Sequence, residues 1–391
     1  MDIDARIQRR RQQEHGSRLV QDYESVSPVA HIDEPTNRGP EFERLLDHLE
    51  PVFDGRLPPH AYVYGPAGAG KSAIVTALFT RLETLSTASQ SVIYTSTRGG
   101  SPNAPRFVYV DSRETSSEFV FYHQVLDGLV KDPVPEHGIS TDDVRDRIHD
   151  VLGTSRTGVV LGVDHVDSPE GADADELVAL LANLPSNVSW LAVGRSTPGE
   201  TGLTEYTATS IPVERYQRQM LVDVLMTRAS MGLTRQALTH DLARSVATWA
   251  DGNAHDALTA LFVAADRTSR QERTRLTEQD VTAAIESIPR PSVSLGRVLV
   301  LPPNKQLVLR ELVDLDADER RSVTATTETI SARSSVDLST GTVKRFLYEM
   351  AELGIVGRVQ SATKNGKGRP PSRVELRFSP AAFRRLYDLQ Q

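Results

Sequence analysis

Cysteine is absent from all 391 residues. That excludes disulfides, thiolate nucleophiles and cysteine-ligated zinc. Long apolar runs are missing as well: no stretch approaches the roughly twenty residues of a membrane-spanning helix. The opening is polar, and its basic run at Arg9–Arg11 is followed by no apolar segment of the signal-peptide kind. The expectation is a soluble cytoplasmic protein with no membrane partner. Lysine is scarce, six against 38 arginines. What remains is 39% hydrophobic, enough for two or three cores. Net charge is -8, but Thr340 to Gln391 carries ten Lys/Arg against four Asp/Glu. A basic end on an acidic chain points to a local anionic partner.

The chain is organised around Tyr62 to Thr80. A short apolar run from Ala61 to Tyr64 reads as a buried strand and leads into Gly65-Pro66-Ala67-Gly68-Ala69-Gly70-Lys71-Ser72, after which a helical pattern begins at Ala73. This is the phosphate-binding pattern G-x-x-x-x-G-K-[ST] in its strand–loop–helix setting. The glycines let the backbone turn so that N–H groups point at phosphate oxygens. Gly65, Gly68, Ala69, Gly70, Lys71, Ser72 and Ala73 are therefore the expected nucleotide-binding residues. Lys71 would reach the β- and γ-phosphates, and Ser72 would ligate Mg²⁺, helped by the positive end of its helix.

Further strands are expected at Arg106 to Val110, Gly158 to Val163 and Val188 to Val193, with helices at Ser116 to Val130, Asp142 to Leu152 and Ala172 to Leu184. Alternating apolar strands and helices indicate an α/β fold with a parallel sheet covered on both faces. Ligands of such sheets sit at the carboxyl ends of the strands. Lys71, Asp111, Asp164 and Ser196 all fall at or just beyond such ends. Asp164 is the expected second Mg²⁺ ligand, acting through water. Asp167 either assists it or caps the next helix. The residue after Asp164 is usually Glu in hydrolytic proteins of this class, where it polarises the attacking water; here it is His165. A neutral imidazole carries no negative charge and has a different reach.

Before the first core strand, Tyr23 to Asn37 reads as an extended strap and Glu41 to Phe53 as a helix. From Val213 the pattern is helical: Val213 to Ala229, Gln236 to Ala250, Ala254 to Arg267 and Thr277 to Ser287. Helices at Lys305 to Leu315, Val323 to Ser331 and Leu338 to Leu353 then lead to strands Ile355 to Gln360 and Arg373 to Phe378, which together describe a winged helix. Lys344, Arg345, Arg358, Lys364, Lys367, Arg369 and Arg373, with Arg377, cluster on its recognition helix and wing. Such residues neutralise DNA phosphates, and some can read base edges. The alternative is a solvated face around a protein-binding winged helix, with Tyr348 and Arg358 turned to the adjoining domain.

The order of these segments resembles the archaeal Orc1/Cdc6-type replication initiators, AAA+ ATPases with a C-terminal winged helix. The resemblance runs from about Pro28 to the end. It rests on Asn37-Arg38 with the helix Phe42 to Leu49, on Tyr62 to Thr80, on Phe107 to Val110 and on Pro135 to Ser140. Ile211 to Tyr216, Leu225 to Arg228 and Leu338 to Phe378 complete it. The scarcity of lysine beside abundant Asp, Thr and Val resembles proteins of salt-loving archaea. The resemblance implies a tail at residues 1–27, an AAA+ base at 28–209, a helical lid at 210–290 and a winged-helix domain at 291–391. It implies ATP or ADP with Mg²⁺, a nucleotide pocket lined by Tyr216 and Arg228, and origin duplex DNA as partner. The replicative helicase and other initiator copies are implied partners too, with a nucleoid location.

Against that family several catalytic groups are altered. The family's Glu is His165, and its first sensor falls near Arg195-Ser196. No Arg occurs from Glu200 to Ile211, where a trans-acting arginine is expected, and the second-sensor Arg is His255. Asp164, His165 and Ser196 are thus the catalytic positions, and their pattern implies binding with slow or absent hydrolysis. The other readings are an AAA+ regulator of transposition or defence, an active ATP-driven remodelling enzyme, and a degenerate initiator serving only as a protein-interaction module.

Overall fold

Residues 18–93, 105–115, 117–153, 158–169, 173–360 and 372–391 are described by the computed structural model. They fall into two units: His31–Tyr216, and Met1–Ala30 together with Gln217–Gln391.

In the first unit, β1 (Ala61–Tyr64), β2 (Arg106–Asp111), β3 (Val159–Asp164), β4 (Val188–Gly194) and β5 (Thr209–Pro212) form one sheet in the order β2-β3-β4-β1-β5. Every pairing is parallel. Because successive side chains point to opposite faces, each strand feeds two cores. Tyr62, Val108, Val110, Leu161, Val163 and Trp190 pack against the helices Glu118–Leu129 and Thr141–Gly153. Ala61, Val63, Phe107, Val160, Leu191 and Val193 pack on the other side with Leu45, Leu49, Ile74, Val75 and Phe79. The expected parallel α/β sheet is present, with a fifth strand, β5, that the four sequence-derived strands did not include. β3 and β4 are buried along their whole length. The helix Ala174–Ala182 is started by a capping box in which the Asp173 carboxylate accepts the Glu176 N–H and Glu176 reaches back.

The second unit opens with a segment expected to be part tail and part extended strap. It is neither. Residues 18–30 contain a helical turn, Tyr23–Val26, capped by Asp22, and Val20 bridges to Leu233. The Tyr23 hydroxyl donates to Asp266 Oδ1 at 2.9 Å, and the Arg385 guanidinium lies 4.2 Å over the Tyr23 ring. Leu19 and Val26 are fully buried, so apolar burial, not read from the sequence, recruits the segment. Four helices follow, Arg218–Gly232, His240–Ala250, Ala254–Arg270 and Glu278–Glu286. The first begins five residues later than its pattern suggested, because Val213 is still held in extended form, its N–H donating to Tyr64 O at 2.8 Å.

The winged helix consists of Pro303–Val313, Val323–Ser331, Thr340–Glu352 and an antiparallel hairpin of Val356–Gln360 with Ser372–Leu376. Ser339 caps the helix Thr340–Glu352 by accepting the Thr342 N–H. Val343, Leu347 and Met350 bury one side of it. A last helix, Pro380–Gln390, was not anticipated, although Ser379 followed by Pro380 is a plain start signal. Its Phe383 ring packs edge-on to Phe378 at 5.2 Å between centroids.

Candidate functional site

The sheet register brings the expected residues together. Asp111 pairs with Asp164, Asp164 with Val193, and Tyr64 with Gly194. The carboxyl ends of β2, β3, β4 and β1 therefore finish on one edge, where the phosphate loop leaves β1. In that loop Gly68 and Gly70 take φ of 70° and 85°. The next helix begins at Lys71, and its Ile74 N–H is bonded to Gly70 O at 3.0 Å. A chain turned this way, with a helix N-terminus behind it, is suited to phosphate oxygens.

Lys71 is buried, and its Nζ donates to Gly65 O at 2.7 Å and Pro66 O at 2.9 Å. Burial pushes its pKa down to about 8, an effect that the Asp164 carboxylate opposes. A phosphate would raise it again. Nucleotide binding should therefore take up a proton once the free Lys71 starts to lose its own. Affinity is expected to hold from pH 6.5 to 7.5 and to fall above pH 8 by up to about tenfold per pH unit. Titration calorimetry in buffers of different ionisation enthalpy reads this directly; a flat profile to pH 9.5 would refute it.

Asp164 is fully enclosed. Its Oδ2 accepts the Tyr109 hydroxyl at 2.7 Å and its Oδ1 the His165 N–H at 2.6 Å. Burial alone would raise its pKa, but His165, the Ser72 hydroxyl and Tyr109 outweigh this and hold it below the usual carboxylate range. Ser72 and Asp164 thus face each other as an ionised carboxylate and a hydroxyl. This oxygen pair fits Mg²⁺, which takes few protein ligands and completes its shell with phosphate and water. Among the described residues no group of three or more His, Cys, Asp or Glu forms a metal cage.

His165 sits in the left-handed region at φ 61°, a conformation that His tolerates better than most residues with a Cβ. Its pKa is lowered, chiefly by burial, with the Asp164 carboxylate opposing. It is a neutral imidazole at the position where a charged carboxylate would activate water. Two arginines also act on this edge: Arg113, which the motif reading did not include, and Arg195, noted there only as lying near the first-sensor position. Arg113 is clamped to Asp111 through Nε at 2.9 Å and Nη2 at 2.5 Å. Both Arg113 and Arg195 bear electrostatically on His165. They were legible only as residues just beyond strand ends.

Asp167 does not cap the next helix; it holds the loop after β4. Its Oδ2 accepts the N–H of Arg195 at 2.5 Å and of Ser196 at 2.8 Å, with Ser196 Oγ at 3.3 Å. Ser196 therefore serves the loop after β4: its hydroxyl faces Asp167, and its carbonyl accepts the Tyr62 hydroxyl at 2.9 Å. The cap of the following helix is Asp173.

Tyr216 does reach the phosphate loop. A Cβ built on Gly70 would come within 2.7 Å of its hydroxyl. The ring is backed by Arg38, whose guanidinium lies 3.6 Å from the ring centroid while bonding Glu41 Oε1 and Glu214 O, each at 2.9 Å. Arg38 is 1% exposed and holds Tyr216 in place.

Arg228 and His255 belong to the other unit, where each has a structural partner. Arg228 is buried with its pKa pushed down to about 10, and its Nη2 donates to Ser27 O and to Ala30 O. His255 Nε2 accepts the Leu295 N–H at 3.0 Å. Arg228 thus clamps the Ser27–Ala30 backbone.

On the winged helix, Lys344, Arg345, Arg358 and Arg373 are exposed. Arg358 stacks 4.5 Å over the Tyr348 ring, with Lys344 Nζ at 5.9 Å. Arg345 is 3.8 Å from Glu349, and Arg373 pairs with Glu375 at 2.6 Å. Tyr348 and Arg358 turn to each other. Lys364, Lys367 and Arg369 lie outside the described residues.

Residues 34–193 match the family described as AAA ATPase domain. The chain is 25% identical over 372 residues to an ORC1-type DNA replication protein 1 of Sulfurisphaera tokodaii, covering 90% of this chain and 89% of that one. Among solved structures it is similar to the Aeropyrum pernix ORC1 protein in complex with DNA, at TM-score 0.62 and 22% identity, over 94% of this chain and 96% of the other. It is also similar to the Aeropyrum pernix ORC2 protein in ADPNP–ADP complexes, at TM-score 0.55 and 16% identity, over 95% and 98%. The fold is that of an AAA+ P-loop protein with a C-terminal winged helix, and the resemblance to the Orc1/Cdc6 family stands.

Proposed function

From a chain with an AAA+ fold that is similar along most of its length to ORC1-type DNA replication proteins, we propose an ATP-binding replication initiator or regulator that docks on origin duplex DNA. The observation that carries the nucleotide half is the meeting of Lys71, Ser72, Asp164 and Tyr216 on one sheet edge. The loop N–H groups and Lys71 would hold the phosphates, and Ser72 and Asp164 the Mg²⁺. Bound Mg²⁺ would neutralise phosphate charge. Gly65, Gly68, Ala69 and Ala73 shape the cradle. The reading includes slow or absent hydrolysis, since His165 supplies no carboxylate and Ser196 is engaged with Asp167. Arg228 and His255 act in it by holding the backbones of Ser27–Ala30 and Leu295.

The DNA half rests on the exposed cations of the helix Thr340–Glu352 and the hairpin, and on the related ORC1 protein having been captured with DNA. Arg345 is held loosely, 3.8 Å from Glu349 and 5.2 Å from the Phe346 ring centroid, so a phosphate can compete for it. Replacing Arg345 with alanine is expected to weaken duplex binding about threefold to tenfold and to reduce the slope of log K against log salt by about one. Fluorescence anisotropy on a duplex between 50 and 300 mM salt (roughly the range over which such contacts screen) measures both. An unchanged affinity and slope would overturn docking through this helix. Selective binding to one chromosomal repeat separates origin recognition from a role in transposition or defence. The helicase and further initiator copies remain partners of this proposal, as does a nucleoid location.

A further inference from the structure

The recognition helix, Thr340–Glu352, carries an anion among its cations. Glu349 follows Arg345 by one helical turn, which puts the two side chains on the same side. Its Oε2 stands 2.9 Å from Lys305 Nζ and its Oε1 3.8 Å from Arg345 Nε. Lys305 belongs to a different helix, Pro303–Val313, so this carboxylate joins two elements of the winged helix. The Phe346 ring marks the same patch, with Lys305 Nζ 5.8 Å and Arg345 Cζ 5.2 Å from its centroid.

Two cations thus share one carboxylate, with one oxygen facing each. A DNA phosphate likewise offers two free oxygens. The shares are unequal. Arginine ahead of glutamate at this spacing is the weaker order for a helical ion pair, in line with the longer contact to Arg345. The pair with Lys305 is close and charged on both sides. Arg345 is exposed, and Glu349 and Lys305 are partly so, which leaves the cluster open to an incoming anion. Lys305 lies ahead of the basic stretch that begins at Thr340, and only packing brings it to this helix.

We propose that Lys305 is a phosphate-binding cation of the winged helix that Glu349 keeps silent, the carboxylate standing where a DNA phosphate would. This rests on the duplex-docking reading above and adds a contact that the free protein withholds. The ammonium sits on a flexible four-carbon stem, so it can turn to a phosphate once the carboxylate lets go. A duplex must first displace Glu349 to use it. Glu349 is therefore a built-in competitor of DNA, and removing its charge should strengthen binding rather than weaken it.

The test is duplex binding by the full chain, read by fluorescence anisotropy across roughly 50 to 300 mM salt. Wild type is compared with Glu349→Gln, with Glu349→Gln plus Lys305→Ala, and with Glu352→Gln, melting temperature serving as a check on folding. Glu349→Gln keeps the shape of the side chain and removes its charge. It is expected to bind about threefold to tenfold more tightly at the low-salt end and to steepen the slope of log K against log salt by about one, the size of one added phosphate contact. Adding Lys305→Ala should return the slope to the wild-type value. Glu352 is exposed in the last turn of the same helix and controls for the general loss of negative charge. Glu352→Gln should change affinity by less than about twofold and leave the slope alone. If Glu349→Gln gains no more than Glu352→Gln, or keeps its steeper slope after Lys305→Ala, the ion pair is only a tie between two helices; the proposal then falls and duplex docking stands. If neither wild type nor Glu349→Gln binds duplex, both fall.

Discussion

Lys71→Ala is expected to lower nucleotide affinity by about a hundredfold or more, since it removes charge-assisted bonds to two phosphates from an enclosed site. The ammonium is already desolvated, with its pKa at about 8, and held by Gly65 and Pro66 carbonyls at the base of the loop. Binding of a phosphate there repays that desolvation, which a flexible surface lysine could not offer. The melting temperature should change little, because the charge is held by carbonyls alone and its loss relieves burial. Binding by fluorescence or calorimetry checks the first point and thermal melting the second. The same variant decides the question of turnover. If the wild type hydrolyses ATP briskly and Lys71→Ala abolishes this, the reading of slow or absent hydrolysis falls.

Gly65→Ala is expected to damage the fold as well as the site. A Cβ at this position would stand 2.0 Å from Val213 O, with φ at 154°. The obstacle is backbone, and it belongs to the segment whose N–H closes on Tyr64 O. Relief requires the chain after β5 to separate from β1, at the point where Tyr216 is about to turn back over the loop. A loss of about 3 kcal/mol or more in stability is expected, with nucleotide binding lost alongside. Gly39→Ala is the matched control: its added Cβ meets nothing within 4 Å, and its effect should stay within about 0.5 kcal/mol. Denaturant unfolding of both variants, with and without nucleotide, gives the comparison. A Gly65→Ala protein as stable as the control would show that the β1–β5 edge yields more easily than the contact implies.

What the sequence made legible is what local chemistry dictates. Gly65 to Ser72 announces a phosphate loop because turn, charge and helix start must coincide there. β3 and β4 announce themselves because strands buried on both faces are continuously apolar. β5 is four residues long and includes Pro212, with only Ile211 of its residues buried, so its signal is short and mixed. The last helix was readable at Ser379-Pro380 and was passed over. Other features are tertiary and have no signature along the chain. Arg38 under Tyr216, Asp167 on the loop after β4 and Arg228 on Ser27 and Ala30 join residues 28 to 201 positions apart in sequence. Arg195 is intermediate. Its place beyond a strand was visible, but its nearness to the phosphate loop depends on β4 lying next to β1, a matter of strand order.

The Tyr23–Asp266–Arg385 contact has a consequence for synthesis. Residues 18–30 are made well before their partners, which are in the last half of the chain: Leu233 for Val20, Arg228 for Ser27, Asp266 and Arg385 for Tyr23. All of residues 31–216 must be made before any of those partners exists. At ~5–20 residues per second the wait is roughly 10–40 s. During it, the opening segment carries Leu19 and Val26 with nothing to bury them, while the nucleotide-binding unit already has every strand of its own sheet. Every strand of the phosphate cradle is thus made before residues 18–30 meet any of their partners, and the last of these contacts, Arg385 over Tyr23, waits for the C-terminal helix.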